Sequence, residues 1–223
     1  MPQTALSALA SLDAELTPIR IVAERLAGTD SIIDSSSGAA LFSHRPKIGT
    51  EAYACTIFPA ISAGLMARYE ELHCSEFHIP IAYRKVLLRM NGASIFRLSL
   101  YGLPISMCQE PPLLDRSARQ PLDLGSANLH WRRRYSSDRG QFQFGASPYS
   151  REENVAYFLN GNGSVSAVLN GGRKIWEWSS IQRFLEVELL RSESAFAEFE
   201  NRMGAIPVLP TPEGTTCKRR GRQ

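Results

Sequence analysis

No run of about 18 apolar residues occurs anywhere in the chain, so no membrane-spanning helix is expected. The first residues carry no positive flank followed by an apolar stretch, which argues against a signal peptide. The four cysteines (Cys55, Cys74, Cys108, Cys217) are scattered with no Cys-x-x-Cys pair. That argues against a disulfide framework and implies reduced thiols, so the cytoplasm is the expected compartment. Charge of one sign is lacking too. The 25 Lys and Arg residues stand against 22 Asp and Glu, a net +3 that is too small to imply nucleic acid by itself. There is no internal repeat, no G-x-S-x-G elbow and no P-loop. Gly161-Asn162-Gly163 precedes a strand rather than a helix, so it reads as a hairpin turn and not as a phosphate cradle.

What is present is a long α+β pattern in a chain of 223 residues, enough for one domain with extensions. Residues 1–50 read as an N-terminal extension. Thr17 and Pro18 start a short helix that Gly28 ends. The Ser-rich stretch from Asp30 to Gly38 reads as a linker.

The domain proper is expected over residues 51–205. A helix from Pro59 places Ile61, Leu65, Tyr69 and Leu72 on one face and turns Glu70 and Glu71 to water. A second begins near Pro80, with Tyr83, Val86, Leu87 and Met90 at helical spacing and Gly92 beyond its end. The period then changes to two: Phe96, Leu98 and Leu100 alternate with Arg97, Ser99 and Tyr101, which predicts a half-buried strand. Prolines 104, 111, 112 and 121 mark an irregular crossing, and a short helix follows near Ala127–Arg133. Strands are predicted at Gln141–Gly145, Asn154–Leu159, Ser164–Leu169 and Lys174–Trp178, the last three separated by Asn-Gly turns. A capping box of Ser179 and Gln182 starts a long last helix carrying Ile181, Leu185, Leu189, Phe196 and Phe199 on one face, closed by Gly204 and Pro207. Residues 206–223 are a Pro-rich and then basic tail with no fixed structure expected. The fold class is α+β: a central, mostly antiparallel sheet of about 4–6 strands flanked by N-terminal helices and a long C-terminal helix.

Catalytic patterns are sparse. His73, Cys74 and His78 have metal-binding side chains, but their spacing matches no common zinc finger and no fourth ligand is evident. Half-buried polar residues are the better reading. Cys74 and His78 as nucleophile and base lack an orienting third group and an oxyanion hole. Glu152 and Glu153 read as a solvated loop. No catalytic residue, cofactor or metal is therefore assigned. Trp131 with Arg132, Arg133 and Arg134 suits stacking and pairing with an acidic partner or nucleic acid, against a core Trp on a solvated turn. The tail Lys218-Arg219-Arg220-Gly221-Arg222 reads as a solubilising segment.

One set of residues has a familiar order. Pro80-x-x-Tyr83-x-x-x-Leu87-x-x-x-Asn91-Gly92 is followed by Leu100-Tyr101-Gly102-Leu103, Phe144-Gly145, Tyr157-Phe158 with its Gly-rich hairpin, and Trp178-Ser179-Ser180-x-x-x-Phe184-Leu185-x-x-Glu188. From about Thr56 to Arg191 this resembles the SUKH superfamily of Smi/Knr-like proteins. The resemblance implies an α+β fold and a protein-binding, non-enzymatic role. Bacterial members are mostly immunity proteins of polymorphic toxin systems, which neutralise a cognate toxin, often a nuclease. Fungal members are scaffolds in cell-wall signalling. An inhibitor of a basic nuclease usually presents acidic surface. This chain is slightly basic, so either its acidic residues gather on one face or its partner is not a basic nuclease.

The expected function is occlusion of a toxin's active region by a monomer or weak dimer. The partner contacts expected are Arg97, Tyr101, Trp131, Arg132, Arg133, Arg134, Tyr149, Arg151 and Trp176, residue types that anchor interfaces. The alternative is a nucleic-acid-associated accessory or scaffold protein that uses the Arg-rich segments.

Overall fold

Short apolar runs punctuated by tight turns build one continuous antiparallel sheet in the computed structural model. It describes residues 5–12, 14–46, 48–49, 51–73, 78–104, 119–135, 140–150 and 153–202. The strands are β1 (Ile32–Ile33), β2 (Ala40–His44), β3 (Tyr53–Ile57), β4 (Ala93–Ile95), β5 (Leu98–Leu100), β6 (Phe142–Pro148), β7 (Asn154–Leu159), β8 (Val165–Leu169) and β9 (Arg173–Trp178). They lie in chain order across one nine-stranded meander, each paired antiparallel with the next. The helices are α1 (Thr17–Leu26), α2 (Ala63–His73), α3 (Ile81–Leu87) and α4 (Ile181–Arg202). The α+β class stands, but the sheet is larger than the four to six strands expected.

Three of the added strands come from places where the sequence hides them. Residues 5–12 and 14–46, read as an extension, contribute to both core and sheet. Ala5, Leu9, Leu12, Leu16, Ile19, Val22 and Ala23 join the main core, and β1 and β2 extend the sheet. The Ser-rich stretch is a built turn: the Asp34 carboxylate accepts from Ser36 Oγ at 2.8 Å, from the Ser37 N–H at 2.9 Å and from Ser37 Oγ. Gly38 takes a φ of +69°, which a side chain would strain. Serine thus bonds here to its own turn, a local alternative to linker behaviour.

The third hidden strand is β4. The strand expected from the Phe96–Tyr101 alternation is one arm of a hairpin, with Ala93–Ile95 as the other: Ile95 pairs with Leu98, leaving Phe96 and Arg97 as a two-residue loop. Phe96 has a φ of +54° at the loop position that glycine usually occupies. Its ring is held by Phe196 at 5.6 Å.

Other boundaries shift for local reasons. α2 starts at Ala63 because Ser62 Oγ accepts from the Leu65 N–H. Glu70 does not face water: it accepts from Arg84 Nη2 at 2.7 Å and from the Ile79 N–H at 2.9 Å. Leu72, expected on the apolar face, is exposed. Ser180 and not Ser179 caps α4, accepting from the Arg183 N–H, while Gln182 donates to Glu186. The expected helix-closing Gly204 and Pro207 and the tail lie outside the described residues.

The helices cover one face of the sheet. Tyr83 of α3 packs on Phe142 and Phe144, and Phe184 of α4 packs on Phe144, Tyr157 and Trp178. Among the described residues the opposite face carries two small apolar clusters. Ala39, Leu41 and Phe58 lie at the β2–β3 end, and Tyr135, Ala156, Phe158 and Val168 at the β7–β8 end. Among the described residues no helix is long and apolar enough to cross a membrane.

Candidate functional site: a groove across the outer sheet face

Register explains the space between those two clusters. Successive partners across the outer face are Leu41, Thr56, Ser94, Ser99, Ala146, Ala156 and Val168. The ends of this row are apolar and covered, while its middle four are small. Two open clefts of about 440 and 390 Å³ lie over that middle and share Ser99 and Leu122, so they form one groove.

One wall of the groove is a helical segment that winds unevenly: an α turn (Leu124–Ser126), a π turn (Ala127–Trp131) and a 3₁₀ turn (Arg132–Arg134). Asp123 caps it, accepting from the Gly125 and Ser126 N–H groups at 3.0 and 2.9 Å and from the Tyr69 hydroxyl at 2.7 Å. Buried Asn128 locks the segment to β6. Its Nδ2 donates to the Gln143 carbonyl at 2.9 Å, and its Oδ1 accepts from the Gln143 N–H at 2.9 Å. The β6–β7 register slips between Gln143 and Gly145. The π turn, a device common at functional sites, sets Trp131 edge-on against Tyr101 at 5.8 Å.

Burial alone pushes the Asp123 carboxyl up, but hydrogen bonds from Tyr69, Ser126 and Gly125 outweigh it and hold its pKa below the usual value. A carboxyl lowered in the folded state stabilises above its unfolded pKa and loses that contribution as pH falls through the folded one. Asp123→Ala is therefore expected to cost about 1–2 kcal/mol at pH 7. The gap from the parent protein should narrow below about pH 4. Urea unfolding of both proteins from pH 7 to pH 2.5 checks this, and a gap independent of pH would refute it.

The far end of the groove is set by α4. Ser192 Oγ accepts from the Arg97 N–H at 3.2 Å, and the Arg97 guanidinium carbon sits 4.5 Å from the centroid of the Phe199 ring. Among the described residues Arg97 Nη1 is buried without a hydrogen-bond partner, as is Oε1 of Gln143, a residue only 1% exposed. Both residues line the groove. Desolvation lowers the Arg97 pKa, yet a guanidinium stays charged. The result is a partly desolvated cation on a strained hairpin tip, at the mouth of a cleft.

Of the residues expected to bind a partner, Arg97, Tyr101, Trp131 and Arg134 come together around this groove. Tyr101 is not on an exposed strand face, as expected, but 2% exposed, with the Gln143 side chain on its hydroxyl. Arg132 donates to the Gln141 carbonyl at 3.4 Å, and Arg133 is exposed beside it. Tyr149 packs half-buried against the main core. Trp176 shares the helix-side face with Trp178, at 6.4 Å, and lies at the β9 edge, away from the groove. Arg151 lies outside the described residues.

Sequence reasoning missed Gln143, Asn128 and the floor residues Thr56, Ser94, Ser99 and Ala146. The one signal of the floor residues is small side chains at outward positions of four neighbouring strands, and it becomes visible only with the register. Of the possible metal ligands, Cys74 and the His73 side chain lie outside the described residues, and His78 is exposed. Cys55 is fully buried and burial pushes its thiol pKa up, so no reactive thiolate is exposed there. Comparison with family models, with curated proteins and with solved structures finds no match.

Proposed function

We propose that this chain is a non-enzymatic binding domain that grips a protein partner across the outer-face groove. Following the resemblance to SUKH immunity proteins, the partner is a cognate bacterial toxin whose active region the domain occludes. The observation that carries the reading is the groove itself. Arg97, Trp131 and Arg134 surround a floor of small side chains on a sheet whose other face is packed by helices. Arg and Trp dominate interface energetics where they become fully desolvated. A floor built of paired strands needs little reorganisation on binding, so little affinity is lost to ordering. The basic residues around the groove favour a partner whose contacting part is acidic, unlike the surface of a basic nuclease.

The test is co-purification with the toxin domain encoded beside this gene, followed by growth rescue. A stable complex and rescue are expected. Arg134→Ala should weaken the complex by about 2 kcal/mol, roughly thirtyfold, and Arg133→Ala, outside the groove lining, by less than about threefold. Isothermal titration reads both, and equal effects would place the interface elsewhere.

A further inference from the structure

The groove has a length, a floor and a charge pattern that narrow what enters it. From Thr56 on β3 to Ala146 on β6 there are three inter-strand steps. At about 4.8 Å each these span about 14 Å, room for about four residues of extended chain. The floor offers the hydroxyls of Thr56, Ser94 and Ser99. Arg119 stands at one end, against the Tyr53 ring at 5.2 Å and Glu51 at 3.3 Å. Arg97 and Arg134 stand at the other. Among the described lining residues Glu51 is the one carboxylate, and it is already paired with Arg119.

Resting on the reading that this face binds a protein, we infer that the groove takes a short extended acidic segment of that partner, with carboxylates seated on Arg97 and Arg134. The unpartnered Arg97 Nη1 donates to a carboxylate oxygen, and the unpartnered Gln143 Oε1 accepts a peptide N–H from the same segment. Nucleic acid fits less well. Sequence-tolerant strand binding uses a series of exposed aromatic faces. Here Tyr101 and Tyr135 are 2% and 9% exposed, which leaves Trp131 as the only half-exposed ring among the described lining residues of that cleft.

The test uses the full chain, isotope-labelled, and three probes: a hexapeptide alternating Asp and Val, the same peptide with Asn for Asp, and hexathymidylate. The Trp131 indole N–H and the Arg97 and Arg134 Nε–H resonances should shift on titration with the Asp peptide, at least about tenfold more tightly than with the Asn peptide. Arg97→Gln and Arg134→Gln should each erase most of that preference. Arg134 is exposed, so its variant remains informative should Arg97→Gln misfold. Equal binding of the two peptides, no binding, or tighter binding of hexathymidylate overturns the inference. If the groove variants still capture the toxin at full affinity, toxin binding stands but the interface lies elsewhere on the domain, and this inference falls; if no complex with the toxin forms while the Asp peptide still binds with its preference, the toxin reading falls and this inference stands.

Discussion

Glu188→Ala is expected to lower stability by about 3–5 kcal/mol, a large share of the 5–15 kcal/mol typical of a domain. Glu188 is wholly buried and its partner Arg191 is 7% exposed at the side chain. The Glu188 carboxylate accepts from the Tyr157 hydroxyl and from Arg191, whose Nε lies 2.8 and 2.9 Å from its two oxygens. Removing the carboxylate leaves a guanidinium that cannot shed its proton in a place water does not reach. It also orphans the Tyr157 hydroxyl, whose pKa burial and the neighbouring carboxylate already hold well above the usual value. Replacing both charges by apolar residues, Glu188→Leu with Arg191→Met, should recover most of the loss, because a buried ion pair seldom outperforms a packed apolar one. Urea unfolding of the two single variants and the double variant gives the coupling energy directly. A single-variant cost under 1 kcal/mol would refute the account. The network also reaches the groove. Arg191 Nη2 donates to Ser147 Oγ at 2.8 Å, Ser147 lines the cleft, and Ser192 on the same turn holds the Arg97 N–H. Charge buried in the core therefore fixes the position of one groove wall.

How far the fold was legible differs from element to element. β7, β8, β9 and α4 were visible because period and turn chemistry agree there. Asn160-Gly161-Asn162-Gly163 and Asn170-Gly171-Gly172 are turns, with φ of +85°, +82° and +84° at Gly163, Gly171 and Gly172. The β4–β5 hairpin was not visible, because its loop holds Phe and Arg in place of Gly and Asn, and the alternation from Phe96 onward starts inside the loop itself. The strain at Phe96 is absorbed by tertiary packing on Phe196, which no local pattern encodes. β1 failed for another reason: a two-residue strand is too short to show a period.

The site was legible in composition and not in geometry. Arg97, Trp131 and Arg134 stand out as interface residue types, and the fold brings them to one groove. Trp176 has the same chemistry and lies on the other face, because residues two apart on a strand share a side and Trp178 faces α4. The groove floor was invisible because Thr56, Ser94, Ser99 and Ala146 are unremarkable one by one. Only their alignment across four strands, set by register, turns small residues into a channel.

Gly102→Ala is expected to cost at least about 3 kcal/mol and to cut the soluble yield sharply, the upper end for overpacking joined to lost buried hydrogen bonds. A Cβ at Gly102 would overlap the Asn91 carbonyl oxygen and lie 2.7 Å from its Oδ1. Neither can retreat. The Asn91 side chain donates to the Leu103 carbonyl at 2.8 Å and accepts its N–H at 2.7 Å, while the Gly102 N–H donates to the Leu122 carbonyl. Tyr83 adds a hydrogen bond to the Tyr101 carbonyl at 2.6 Å. Gly92, at φ +83° and with a built Cβ 2.6 Å from the Leu100 oxygen, closes the other side. Gly163→Ala is the control. Its φ is +85° but nothing lies within 4 Å, so only the backbone penalty of about 1–2 kcal/mol applies. Urea midpoints of the two variants separate crowding from conformational strain, and similar midpoints would contradict the argument. Tyr83, Asn91, Gly92, Gly102 and Phe144 are among the residues that carry the resemblance to SUKH proteins, and their work here is to lock α3 and the β4–β5 hairpin to β6. A motif that specifies backbone contacts marks the scaffold; under the proposed binding reading, partner choice resides in the side chains that the scaffold holds out, Arg97 and Arg134 foremost.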